Sequence, residues 1–331
     1  MLLDRFGRKI NYLRISVTDR CNLRCVYCLP EDYAPKGKKE EILSYEELSE
    51  IAYCFAELGV SRIRVTGGEP LVRNGISQFI SILSKIPGIQ DLAMSTNGLL
   101  LEKYAGDLAQ AGLKRINISL DSLNPEKFSQ MTRYGKIEFV MNGICAALEA
   151  GLQPIKLNVV VVRGINSEEV GDFAQLTEDL PIHVRFIELM PMGETGFFSE
   201  ARRVPYEEIL KSAGPIAPLE KNDWPEGGGP AHYFKRPGAQ GTIGFISALS
   251  CNFCGNCNRV RLSSKGVLVP CLDGWMGVPL GEMLRKGADR KEIKREILRT
   301  IENKPEHHFM VERAKEELHS PSSRLMCSVG G

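Results

Sequence analysis

Residues 13–28 read LRISVTDRCNLRCVYC, and the rest of the chain is best read outward from them. Leu13–Thr18 is a short run of apolar and β-branched residues, which reads as a strand. Three cysteines, Cys21, Cys25 and Cys28, follow it within eight residues. A strand running into a loop of reactive side chains is the repeating unit of α/β proteins, whose functional residues sit at strand C-termini.

The same unit recurs downstream. Strand candidates are Arg62–Thr66, Leu92–Thr96, Arg115–Leu120, Ile155–Val162 and Val184–Leu189. All are rich in Ile, Val and Leu, as parallel strands covered on both faces require. Helices fill the gaps. Ser44 is an N-cap with an acidic residue three positions on, and Asn124-Pro125 opens another helix with Pro at its first position. Gly59, Gly112 and Gly151 close helices before the next strand. Six βα units in series predict an incomplete (βα)6 TIM-like barrel, short of the usual eight. Such a barrel leaves a cleft along its inner face. Gly67-Gly68-Glu69-Pro70 follows the second strand and Asn97-Gly98 the third, at the same end as the cysteine loop. The two glycines permit close backbone approach, and Glu69 can accept from an ammonium.

The pattern changes near residue 200, which gives a barrel over 1–200 and a C-terminal extension over 201–331. Gly214–Pro218 and Trp224–Pro230 read as loops, and Thr242–Ala248 and Arg259–Leu262 as short strands. From Arg290 to about Leu318 the chain reads as a charged helix with ion pairs at helical spacing.

A formal charge of +1 supplies no global field to steer nucleic acid, so anion binding must come from local clusters. No run of about 18 apolar residues marks a membrane span. The first residues, MLLDRFGRKI, lack the apolar region of a signal peptide, so a cytoplasmic location is expected. Ten cysteines are present, and they cluster. In a reducing compartment, clustered cysteines point to metal or cluster ligands rather than disulfides.

Three thiolates on one loop can hold an iron–sulfur cluster and leave one iron open for a ligand. The alternative is a zinc knuckle that borrows a fourth ligand. The second set reads Cys251-Asn-Phe-Cys254-Gly-Asn-Cys257-Asn-Arg259-Val-Arg261, with Cys271 fourteen residues beyond Cys257. Here Cys254, Cys257 and Cys271 again make three, and Cys251 allows a closed four-cysteine zinc site. Arg259 and Arg261 alternate along a strand, face one side, and suit phosphate oxygens.

CxxxCxxC after a first strand, with an aromatic before its last cysteine, resembles the radical S-adenosylmethionine superfamily. The string FCGNCNRVRL, the Cys-Leu at 271–272, the segments RVTGGEPL, STNG, RINISLDSL, IKLNVVVVRG and RFIELMPMG, and the closing Gly330-Gly331 resemble the molybdenum cofactor biosynthesis protein A family. These are the GTP 3′,8-cyclases.

The resemblance implies two four-iron clusters, one on Cys21, Cys25 and Cys28 and one on Cys254, Cys257 and Cys271, with Cys251 outside the ligand pattern. S-adenosylmethionine would bind the open iron of the first, lined by Tyr27, Gly68, Ser119 and Met190. GTP would face the second, with contacts from Arg14, Arg64, Ser95, Lys156, Arg259 and Arg261. Ser95 stands where Thr is more usual. Gly330 and Gly331 would end a tail that reaches into the active site. In the family, a deoxyadenosyl radical removes the ribose 3′-hydrogen and the carbon radical attacks C8 of the guanine. The implied partners are an external electron donor and a downstream cyclic pyranopterin monophosphate synthase, with room for a homodimer. Two rivals remain: another radical enzyme with an auxiliary cluster, such as a peptide-modifying one, and a zinc-stabilised nucleic-acid-binding module.

Overall fold

The computed structural model describes residues 2–34, 39–192, 195–274, 277–310, 312 and 327. Gly330 and Gly331 lie outside the described residues.

The opening strand forms as β1 (Tyr12–Ser16) and leads through the cysteine loop to α1 (Tyr45–Glu57). The series continues with β2 (Arg62–Thr66), α2 (Ile76–Ser84), β3 (Asp91–Thr96), α3 (Leu101–Gln110) and β4 (Arg115–Ser119). Two helices, α4 (Pro125–Thr132) and α5 (Ile137–Glu149), lead to β5 (Ile155–Val161). Then come α6 (Val170–Asp179) and β6 (Ile182–Glu188). Local chemistry explains the boundaries. Ser44 and Glu47 form a reciprocal capping box on α1, and Asn124 caps α4 through its side-chain oxygen. Gly59, Gly112 and Gly151 all take positive φ where a helix hands over to a strand.

The extension adds α7 (Tyr206–Ser212), β7 (Ala217–Pro218), β8 (His232–Lys235), β9 (Thr242–Ile246) and β10 (Arg259–Leu262). It continues through β11 (Val267–Val269), β12 (Val278–Pro279), α8 (Leu280–Arg285) and α9 (Arg290–Glu302). The segment read as a loop at 214–218 thus includes β7, which pairs antiparallel with β8.

All twelve strands form one sheet, in the order β12-β11-β10-β1-β2-β3-β4-β5-β6-β9-β8-β7. The sequence-derived barrel, β1 to β6, is parallel throughout. The extension continues it at both edges. β10 lies parallel to β1, with Tyr12 opposite Arg259, and β9 lies parallel to β6. Eight strands therefore run the same way, six from the barrel region and two from the extension. Their inner-face residues line one cavity, so the sheet curls round it. The outer faces of the strands and the inner faces of the helices share one continuous apolar core.

The expected charged helix to about Leu318 is interrupted after Glu302. α9 ends at Glu302, and Pro305 lies just beyond, where its ring disfavours helix in the residue before it; Met310 and Glu312 are helical again, and residues 311 and 313–318 lie outside those described. Its cations also choose different partners. Arg290 pairs with Glu50 and Lys294 with Glu57, both acids on α1, while Arg285 of α8 pairs with Glu47. Within α9 there is only a 3.9 Å approach of Arg299 to Glu296 among the described residues.

Candidate active site

The inner face encloses a cavity of ≈ 290 Å³. Cys21, Cys25 and Cys28 line one part of it, and Cys254, Cys257 and Cys271 line another. Between the two sets stand Arg14, Arg64, Arg185, Arg259 and Arg261. Tyr27, Gly68, Ser95, Ser119 and Met190 also reach the wall. Cys251 is exposed and does not.

The cysteine loop is moored on three sides. Gly68 N donates to Thr18 O at 2.6 Å and Glu69 N to Arg20 O at 2.8 Å. Arg24 N and Val26 N donate to Thr132 O and Met131 O at the end of α4. Asn97 Nδ2 donates to Asn22 Oδ1 at 2.7 Å and touches Cys21 Sγ at 3.9 Å. The close approach allowed by the two glycines is therefore to the cysteine loop itself. A Cβ on Gly67 would meet Thr18 O at 2.7 Å, and one on Gly68 would overlap the Arg20 carbonyl. Glu69, read from the sequence as an acceptor for an ammonium, lines the cavity and also serves the fold. Its carboxylate accepts from Leu71 N at 3.0 Å, Thr96 Oγ1 at 2.7 Å and Asn97 N at 2.7 Å. Burial raises it to about 7 despite these bonds.

Cys257 differs electrically from the other five thiols of the two sets, all of which burial raises. Burial raises Cys21 to about 11 and lifts Cys25 and Cys28 further, with Asp121 adding to both. Burial also acts on Cys257, but Arg259 and then Lys304 outweigh it and bring that thiol down to about 6. Arg259 Nη2 lies 3.8 Å from Cys257 Sγ. Among the described residues, no three Cys, His, Asp or Glu side chains converge as ligands of a single ion would. Three thiols sharing a cavity wall suit a four-iron cluster, in which each thiolate takes its own iron.

The remaining wall is built for a polar, anionic guest. Ser95 Oγ and Arg64 Nε are buried with no hydrogen-bond partner, and both residues line the cavity. Burial lowers Arg64 and Arg261 to about 10. So many buried cations together demand a compensating anion.

Lys156 departs from this group. It is buried on β5 below Asn158 and Val160, but it is not in the cavity wall. Its Nζ donates to Pro225 O at 3.3 Å and to Glu226 O, in the glycine-rich segment 224–230. Burial, with Arg185 next, lowers it to about 5.

Several wall residues escape a sequence reading. Asp121 accepts from Tyr27 Oη at 2.6 Å and from Val160 N at 2.9 Å, and burial raises it to about 6. Arg185 donates twice to Asn158 Oδ1, at 2.9 and 2.6 Å. Lys304 and Cys327 also reach the cavity. The position of Asp121 just past a barrel strand is a signal that strand-end logic offers. For Lys304, beyond a charged helix, there is none.

Residues 15–177 match the Radical SAM superfamily, and residues 182–310 match Molybdenum Cofactor Synthesis C. The chain is 48% identical over 332 residues to a GTP 3′,8-cyclase of Heliobacterium modesticaldum, covering 100% of both chains. It is 49% identical over 312 residues to one of Peptoclostridium acidaminophilum, covering 94% of each. Among solved structures, Streptococcus suis SuiB bound to S-adenosylmethionine has a TM-score of 0.64 at 14% identity. That match covers 96% of this chain and 77% of SuiB, and the likeness is one of fold. A wall with two three-thiol sets and buried arginines between them, on a chain of this identity, belongs to the GTP 3′,8-cyclase family of the radical S-adenosylmethionine superfamily.

Proposed function

We propose that the protein converts GTP to (8S)-3′,8-cyclo-7,8-dihydroguanosine 5′-triphosphate, the first step of molybdenum cofactor biosynthesis, and that it does so in the cavity between its two cysteine sets. The observation that carries this is the sharing of one cavity by both sets, with a cationic wall between them. The cofactors are S-adenosylmethionine and two four-iron clusters. When bound, the first cluster and S-adenosylmethionine supply the hydrogen-abstracting radical chemistry.

In this reading, Cys21, Cys25 and Cys28 hold the first cluster and Cys254, Cys257 and Cys271 the second. Tyr27, Gly68, Ser119 and Met190 line the S-adenosylmethionine end. Asp121 fixes the Tyr27 ring through the 2.6 Å bond to its hydroxyl. Arg14, Arg64, Arg259 and Arg261 neutralise the triphosphate, and Ser95 Oγ donates to it. Charge-assisted bonds of this kind contribute roughly 1.5–3 kcal/mol each. Lys156 joins them once it leaves the carbonyls of Pro225 and Glu226. The curled sheet keeps bulk water from the reacting centre.

Residues 1–200 form the radical S-adenosylmethionine barrel, which also brings Arg14, Arg64, Ser95 and Lys156 to GTP, and 201–331 form the extension with the second cluster, Arg259 and Arg261, and the tail. We assign Gly330 and Gly331, which lie outside the described residues, to a tail that acts at the active site, as the family resemblance implies. The partners are an external electron donor and a downstream cyclic pyranopterin monophosphate synthase. No helix among the described residues is long and apolar enough to cross a membrane. We place the protein in the cytoplasm, where its thiols stay reduced.

The test is anaerobic. Purified protein should hold about eight irons, four per three-cysteine set. Replacing Cys21, Cys25 and Cys28 by Ala should abolish S-adenosylmethionine cleavage. Replacing Cys254, Cys257 and Cys271 should spare reductive cleavage but stop the cyclisation of GTP. Stoichiometric zinc without iron would refute the reading, and so would equal loss of cleavage in both sets.

A further inference from the structure

We propose that Lys304 is a positioning residue of the second cluster, and that its ammonium holds that cluster's redox potential above the value a neutral side chain would give. This rests on the assignment of Cys254, Cys257 and Cys271 as ligands.

The geometry starts with burial. Lys304 is 2% exposed, and it lines the cavity with all three of these cysteines. Its Nζ donates to Arg259 O at 3.0 Å and to Pro270 O at 2.5 Å. Arg259 lies two residues after Cys257, and Pro270 immediately precedes Cys271. One ammonium therefore ties together the two segments that carry these ligands.

The third ligand is keyed to the same stretch. Arg8 Nη1 donates to Cys254 O at 2.9 Å and to Glu306 O at 2.7 Å, while its Nη2 donates to Pro305 O at 2.7 Å. Asp4 holds that guanidinium in place at 2.5 Å. Residues 304–306 thus form a hub to which all three cysteine segments are bound.

The charge argument is separate. A buried ammonium needs an opposite charge, because its desolvation is costly. Among the described residues, no carboxylate forms an ion pair with Lys304. The groups that share the cavity wall with it are Cys254, Cys257 and Cys271, whose thiolates would carry negative charge with the cluster bound. Adding an electron makes a thiolate-bound cluster more negative, so a fixed cation nearby stabilises the reduced form and raises the potential. Around the first cysteine set stand the carboxyls of Asp121 and Glu69 together with the Arg24 guanidinium.

The experiment uses full-length protein reconstituted anaerobically with iron and sulfide. The variants are Lys304→Gln, which keeps a donor for the two carbonyls but loses the charge, and Lys304→Arg, which keeps the charge. Iron content is measured, and each cluster is titrated potentiometrically with electron paramagnetic resonance. The second cluster is the signal that GTP perturbs. Lys304→Gln should retain its iron and titrate at a lower potential, with Lys304→Arg near wild type and the first cluster unmoved. An unchanged potential in Lys304→Gln would overturn the proposal. If Lys304→Gln loses the second cluster, the arginine variant decides. Full iron at wild-type potential there supports the role of charge, and loss of iron there too refutes it. Wild-type protein with only four irons would instead bring down the ligand assignment itself.

Discussion

Lys156 lies on the inner face of β5, yet backbone carbonyls hold it away from the cavity. Its folded value of about 5 lies below the ordinary lysine value, with burial the main cause. Between that value and about 10.4 the unfolded chain carries a proton that the folded chain lacks. Stability from this residue therefore rises with pH across that window, and it is lowest below it. Lys156→Met should flatten the rise between about pH 6 and about pH 9 in denaturant titrations. With Lys156 among the proposed phosphate contacts, GTP binding is expected to take up a proton as the triphosphate restores the lysine's charge. Calorimetry in two buffers of different ionisation heat should show greater uptake for wild type than for Lys156→Met. Equal uptake by both proteins would remove Lys156 from the phosphate contacts.

At this scale the sequence was most informative where chemistry is local. Cysteines spaced over eight residues announce a shared ligand, whatever surrounds them. Ser95 and Arg64 were read as binding residues, and both line the cavity with a buried side-chain atom that has no hydrogen-bond partner. The Tyr27–Asp121 bond spans 94 positions, and no spacing rule reaches that far.

Among elements, the contact between the Gly67–Glu69 turn and the cysteine loop shapes the first site. Two backbone bonds join them, so the second βα turn positions the ligands carried by the first. Gly68→Ala forces a Cβ against the Arg20 carbonyl, and overpacking of this kind costs about 1–3 kcal/mol. The expected result is loss of iron from the first set, and of S-adenosylmethionine cleavage, while the second set keeps its iron. Wild-type iron and cleavage in Gly68→Ala would show that the turn yields without moving the loop. The strand–loop–helix series was legible from apolar runs and caps, because both are set within a few residues. The end of α9 was misread because charged residues continue past Pro305, and the charge pattern hid the stop.

Over the whole molecule, the extension does more than cover an open side. β10 and β9 supply the outer neighbours of β1 and β6, so both flanks of the barrel region depend on residues beyond 200. The sequence showed both strands but not their partners, since pairing follows from neither composition nor period. A chain ending at residue 200 would expose both flanks, and unpaired strand edges promote association. It should elute as aggregate in size-exclusion chromatography and hold little iron after reconstitution. A soluble monomer carrying the first cluster would show that residues 1–200 fold alone.

The pairing of β1 with β10 also has a consequence during synthesis. Asn11, which borders β1, bonds through its side chain to Asn258, 247 residues later. At ~5–20 residues per second, a ribosome takes on the order of ten to fifty seconds to cover that interval. Through that delay the first strand emerges with one neighbour and waits for the other. The nascent chain must keep an apolar strand edge from straying until translation reaches the second cysteine set.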